Sequence, residues 1–165
     1  MEFCQFEHKF NAMSQTVTEN GLNEVYNRRI LELAADIPRI GVLEDADASA
    51  TAISKMCGSK VTVYLKMAGG TVTDFSHEVQ ACALGQASSS VLAAHIVGST
   101  RDEVEVARDA MRAMLKEEGA PPTGKWADLE VLQPAREFRN RHQSILLTFE
   151  ATLDAIGQIE AQSAA

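Results

Sequence analysis

The chain is short of basic charge: Lys plus Arg number 15 against 23 Asp plus Glu, a formal net charge of −8. A protein that follows nucleic-acid phosphates or an anionic membrane needs a basic stripe, so neither partner is expected. Long apolar runs are missing too. No segment approaches the roughly 18 residues of a membrane span, and Met1-Glu2-Phe3-Cys4 lacks the basic-then-apolar layout of a signal peptide. Cysteine is sparse. Cys4, Cys57 and Cys82 are an odd set at wide spacing, which makes a poor disulfide framework. No CxxC pair announces a zinc site. Gly69-Gly70 has no Walker-type lysine behind it, and Ser88-Ser89-Ser90 has no GxSxG elbow around it. The expectation is an acidic, soluble, cytoplasmic protein whose few thiols are reduced.

What is present is enough apolar residue, 45% of 165, for one packed domain. Residues 1–20 carry no clear period and read as a mobile leader before a single domain over 21–165. From Leu22, apolar residues recur at helical spacing (Val25, Tyr26, Ile30, Leu33), and Pro38 and Gly41 end that helix. Ser49–Lys55 is a candidate strand. Val61, Val63, Leu65 and Met67 alternate with polar residues in a second, and Gly69-Gly70 turns into a third, Thr71–Val79. The period then becomes helical over Gln86–Val97. Thr100 with Glu103 forms a capping box for a helix over Arg101–Glu118, with Val104, Ala107, Met111, Met114 and Leu115 as its inward stripe. An irregular stretch with Trp126 and Pro134 leads to a last helix, His142–Glu160. This order predicts an α+β fold: a three-stranded antiparallel sheet with helices packed on one face.

Chemistry is expected where elements meet. Cys57 precedes a strand and is followed by Gly58. Cys82 follows a strand and precedes a helix, whose N-terminus favours a thiolate. Loops at one end of a sheet can bring the two together at a metal, though a free cysteine is as often a small core residue. Of the histidines, His77 shares strand parity with Phe75 and Val79 and reads as structural. His95 reads as the edge of a core, and His8 lies in the leader. His142 opens the last helix after a basic run and is the candidate third metal ligand. The serines at 88–90 are expected to satisfy free N–H groups at a helix start.

These residues also form a recognisable set. Ile37-Pro38-Arg39-Ile40-Gly41 resembles the Asn-Pro-Arg-Asn-x-Gly segment of the U-type iron–sulfur cluster scaffold family (IscU, SufU and the NifU N-terminal domain), and Cys57-Gly58-Ser59 resembles its Cys-Gly-Asp. Ala81 through Ser90 is similar to its Gly-Cys-x-x-x-x-Ala-Ser-Ser-Ser. The long segment after Cys82, with Asp128–Leu132 and Arg136–Arg141, is similar to the SufU branch. The family's Asp is Ser59 here. Its third cysteine falls at Gln143 when His142-Gln143-Ser144-Ile145-Leu146 is matched to His-Cys-Ser-Ile-Leu, or at Ser144 when Arg141 is matched to the SufU Arg-x-x-Cys.

The resemblance implies a SufE/NifU-like fold. It implies a scaffold, not an enzyme, that binds iron or a transient iron–sulfur cluster at Cys57 and Cys82, with His142 as a further ligand. A cysteine desulfurase and apo iron–sulfur proteins would be its partners, and a second protomer could complete the ligand set. The alternatives are a zinc-bound sulfur-relay adaptor for the desulfurase, with Cys82 the acceptor, and a degenerate scaffold that binds no metal. A cluster normally takes four protein thiolates, so the missing third cysteine implies a more labile site.

Overall fold

The computed structural model describes residues 27–164. The predicted leader, Cys4, His8 and the first part of the Leu22 helical pattern lie outside the described residues. The first helix, α1, runs Arg28–Ala35 and is capped by Asn27, whose side chain accepts from the Ile30 amide. Three strands follow, β1 (Ala48–Ile53), β2 (Lys60–Ala68) and β3 (Thr71–Gln80), antiparallel in the order β1-β2-β3. Ile53 and Gln80 both pair with Lys60, so the end of β1, the start of β2 and the end of β3 share one edge of the sheet.

Alternation decides which face is covered. Val61, Val63 and Leu65 of β2 are fully buried, as are Val72, Phe75 and His77 of β3, while the residues between them reach solvent. The covering helices are α2 (Ala83–His95), α3 (Arg101–Lys116) and α4 (Arg139–Ala164). Between α3 and α4, Gly124–Glu137 forms a run of 3₁₀ turns that buries Trp126, Leu129, Leu132 and Ala135. The α+β layout is the one the periodicities predict.

The α3 capping box and inward stripe stand as expected, with all five stripe residues buried. Helix ends differ. Helix α2 starts three residues earlier than its pattern, because Cys82 itself is the N-cap. Helix α4 starts at Arg139 instead of His142. That early start of α2 also changes the role of the serines. They lie past its first turn, where amides already have intrahelical partners, and they donate to carbonyls instead: Ser88 to Ile145, Ser89 to Gly85 and Ser90 to Asp36. The first and third of these bonds tie α2 to α4 and to the end of α1.

Pro38 and Gly41 end α1, and the segment between them runs beside β3. His77 N–H donates to Arg39 O, Gly41 N–H donates to His77 O, and His77 Nε2 donates to Pro38 O at 2.9 Å. The Arg39 φ of 63° and the Gly41 φ of 134° make the bend possible. His77 is thus the buried anchor of this strap, as its strand parity predicts. His95, also expected to be structural, packs edge-on against Trp126 with ring centroids 6.3 Å apart.

Candidate functional site

Cys57 sits on the turn between β1 and β2. Ser54 N–H donates to Ser59 O, Gly58 N–H donates to Ser54 O, and Gly58 takes a φ of 71° that a larger residue would resist. This holds the Cys57 side chain out in solvent while Ser54 and Ser59 are buried beneath it. Cys82 is half-buried at the junction of β3 and α2. Because both junctions lie at the same sheet edge, the fold brings the two thiols to one place.

The floor of that place is a chain of hydroxyls. Cys57 Sγ lies 3.1 Å from Ser54 Oγ and 3.2 Å from Ser59 Oγ. Ser144, from the second turn of α4, donates to Ser59 Oγ at 2.9 Å and stands 3.6 Å from Cys82 Sγ. Ser54 in turn donates to Gln143 Oε1 at 3.2 Å. Both positions at which the third cysteine could fall therefore reach the site, Ser144 between the two sulfurs and Gln143 beside Ser54. Gly85 permits the approach of α2 to α4: a Cβ there would stand 2.8 Å from Ser144 Oγ.

Electrostatics favour thiolates at both positions. Burial pushes the Cys57 thiol up, but hydrogen bonding with the Ser54 and Ser59 side chains, with the Ser59 backbone and with Ser144 outweighs it and brings the pKa down to about 7. Burial also raises Cys82. The Gly85 and Leu84 amides at the start of α2, the Ser144 hydroxyl and the Arg141 side chain more than offset this, and the net shift is downward. The helix-terminus effect expected at Cys82 is present, although its sulfur makes no complete capping hydrogen bond. Cys57 is the more accessible thiol.

His142 is not brought to these sulfurs. It is 5% exposed, with Nε2 at 3.0 Å from Ala135 O and 3.2 Å from Arg136 O, on the wall of a separate pocket with Arg136 and Arg139. The reason is helical geometry: two residues along a helix turn the side chain by about 200°, so His142 faces the 3₁₀ segment while Ser144 faces the thiols. The expectation of His142 as a ligand beside Cys57 and Cys82 is corrected by this placement. Among the described residues, no three His, Cys, Asp or Glu are grouped to hold a metal ion. Ser54 was invisible as a site residue in sequence; only its burial beside Cys57 marks it.

Fold and site together define a small α+β protein that presents two acidified thiols at one sheet edge. The family model of the NifU-like N terminal domain matches residues 25–143, and the chain belongs to that family. It is 25% identical over 135 residues to the iron–sulfur cluster assembly scaffold protein IscU of Thermotoga maritima, covering 82% of this chain and 94% of that protein. It is 27% identical over 92 residues to IscU 1 of Archaeoglobus fulgidus, covering 55% and 60% respectively. Among solved structures, the N-terminal nitrogen-fixing NifU-like protein of Brucella abortus is 56% identical with a TM-score of 0.84, over 86% of this chain and 99% of that one. A SUF-system scaffold described as putative, from Fervidobacterium islandicum, shares the fold with a TM-score of 0.74 at 21% identity, over 81% and 98%.

Proposed function

We propose that this chain is an iron–sulfur cluster assembly scaffold that takes up its cargo at Cys57 and Cys82. Family membership and relatives named as scaffold proteins make the scaffold role, and not an enzymatic one, the function of this fold. The observation that carries the site is the convergence of two thiols over the Ser54, Ser59 and Ser144 hydroxyls, with Cys57 titrating at about 7.

Iron and sulfide are substrate here. Thiolate is the form that binds them, and the lowered pKa of Cys57 favours that form near neutral pH. Hydroxyl donors and the Arg141 side chain stabilise the negative charge that the sulfurs carry. The exposure of Cys57 suits a carrier, because an incoming thiolate from an apo-protein can displace it without the fold opening. The donors are soft and fit iron–sulfur cargo, yet two thiolates leave two of four positions open. A zinc ion would meet the same shortage, since tetrahedral zinc also takes four ligands.

Sulfur would come from a cysteine desulfurase as persulfide, a thiol reductant supplying the two electrons that release it as sulfide, and the cargo would pass to apo iron–sulfur proteins, within the cytoplasm. No helix among the described residues is long and apolar enough to cross a membrane. The test is anaerobic reconstitution with iron and sulfide, or with a cysteine desulfurase, cysteine and a thiol reductant that releases the persulfide sulfur as sulfide. The parent chain is expected to take up both, with visible charge-transfer bands. C57S and C82S are each expected to lose most of the uptake. Equal iron and sulfide in all three proteins would overturn the assignment.

A further inference from the structure

We propose that the cavity walled by His142 and Arg136 is a binding site for a small acidic amphoteric molecule, one that carries two carboxylates and an ammonium as L-glutamate does. The site lies apart from the thiols and does not rest on the scaffold reading.

Where α3 and the 3₁₀ segment end and α4 begins, the fold leaves a cavity of about 640 Å³, within the range of small-molecule sites. Lys116, Arg136 and Arg139 line it together with Glu118 and Glu137, three cations and two carboxylates. None of the five forms an ion pair with another described residue. The arginines of α1 and α3, by contrast, all pair with acidic side chains. Unpaired charge of both signs is therefore gathered in one concavity.

Depth sorts these groups. Leu115 and His142 are buried and form the inner wall with the half-buried Arg136. His142 Nε2 lies 3.2 Å from Arg136 O, which fixes the backbone that carries the guanidinium. Arg136 Nε is shut off from water with no hydrogen-bond partner among the described residues. A buried donor left in that state is rare and calls for an acceptor. Lys116, Glu118, Glu137 and Arg139 are exposed and form the mouth. Glu118 stands there with a φ of 55°, in the left-handed region, where the chain turns away from α3 and Gly119 N–H returns to Ala113 O.

The inner guanidinium calls for an oxyanion, and the arginine fork holds a carboxylate through two parallel N–H bonds. The two carboxylates at the mouth disfavour phosphate or a polyanion, because like charges set side by side are costly. An ammonium satisfies them. One carboxylate on Arg136, a second between Lys116 and Arg139, and an ammonium at Glu118 and Glu137 leave the fewest charges unpaired, with the connecting methylenes against Leu115.

The test is isothermal titration of the full-length, metal-free chain at pH 7. L-Glutamate is expected to bind at one per chain. Glutarate, which lacks the ammonium, norvaline, which lacks the second carboxylate, and inorganic phosphate are each expected to bind at least several-fold more weakly. R139Q alters an exposed side chain, so its melting temperature is expected to stay unchanged while its affinity for glutamate falls at least several-fold. The double variant E118Q, E137Q is expected to lose the preference for glutamate over glutarate. R139Q is also expected to take up iron and sulfide like the parent. Absence of glutamate binding, equal binding of any of the other three probes, parent-like affinity in R139Q, or an undiminished preference in the double variant would each overturn the assignment and leave the scaffold reading intact. Loss of iron and sulfide uptake in R139Q would overturn the separation of this cavity from the thiols.

Discussion

Ser144 Oγ donates to Ser59 Oγ across 2.9 Å, joining helix α4 to the turn that carries Cys57. The two residues are 85 positions apart in sequence, and their contact makes one hydroxyl floor under both thiols. Neither thiol is therefore independent of the packing of α4 against the sheet.

The hydroxyls act unequally. Ser54 is the largest stabiliser of the Cys57 thiolate, whereas Ser144 acts on both cysteines. One hydrogen bond is worth about 0.5–1.5 kcal/mol, or roughly 0.4–1 pH unit. S54A is expected to raise the Cys57 midpoint from about 7 by that amount and to leave Cys82 in place. S144A is expected to raise both, with the smaller effect at Cys57. Rates of iodoacetamide alkylation against pH, read cysteine by cysteine, check this; an S144A profile that moves only one thiol would count against the shared floor.

Accessibility separates the thiols further. Both are acidified, but Cys57 is exposed and Cys82 half-buried. With limiting iodoacetamide at pH 7, Cys57 is expected to be modified at least several-fold faster than Cys82, since rate follows both thiolate fraction and access. Peptide mass mapping after short exposure gives the ratio. Faster labelling of Cys82 would mean that the turn at Ser54–Ser59 does not hold Cys57 outward.

How far these relationships were legible in sequence varies with their range. Alternation in β2, the Gly69-Gly70 turn and the Thr100–Glu103 box are local patterns, and each appears where its spacing puts it. The two cysteines could be placed at element junctions, and antiparallel pairing at Lys60 makes those junctions neighbours. His142 failed for a long-range reason. Its neighbour in sequence, Ser144, points at the site, but the phase of α4 turns the imidazole toward Ala135 and Arg136. Helix phase against a distant sheet is set by packing, here by Gly85 and Ser88 against α4, and no local pattern encodes it.

The strap anchor gives a pH dependence. Burial is the dominant influence on His77 and lowers its pKa, outweighing the bond to Pro38 O, which raises it. Its Nδ1 is buried without a partner, so a second proton has nowhere favourable to sit. The folded state thus prefers the neutral ring more than the unfolded chain does. Stability from this residue is complete above the unfolded value near about 6.5 and is lost as pH falls through it toward the lower folded value. Urea unfolding at pH 7.5 and pH 5 is expected to show a smaller loss in H77F than in the parent; equal losses would remove His77 as the cause.

Two glycines in the helices make a matched pair for testing the approach of α2 to α4. A Cβ on Gly85 would meet Ser144 Oγ at 2.8 Å, Ala81 Cβ at 2.9 Å and the Ser144 carbonyl at 3.1 Å, whereas one on Gly157 meets nothing within 4 Å. The Ser144 hydroxyl can rotate, but a carbonyl fixed in α4 cannot, so α2 must shift. G85A is expected to destabilise by about 1–3 kcal/mol. It is also expected to weaken the effect of Ser144 on Cys82, seen as slower Cys82 alkylation at pH 7. G157A gains helix propensity with no clash and is expected to stabilise by roughly 0.5–1 kcal/mol. Chemical denaturation of the two variants decides the matter. If G85A is as stable as G157A and keeps the parent alkylation profile, the close packing of α2 on α4 is not what sets the Cys82 environment.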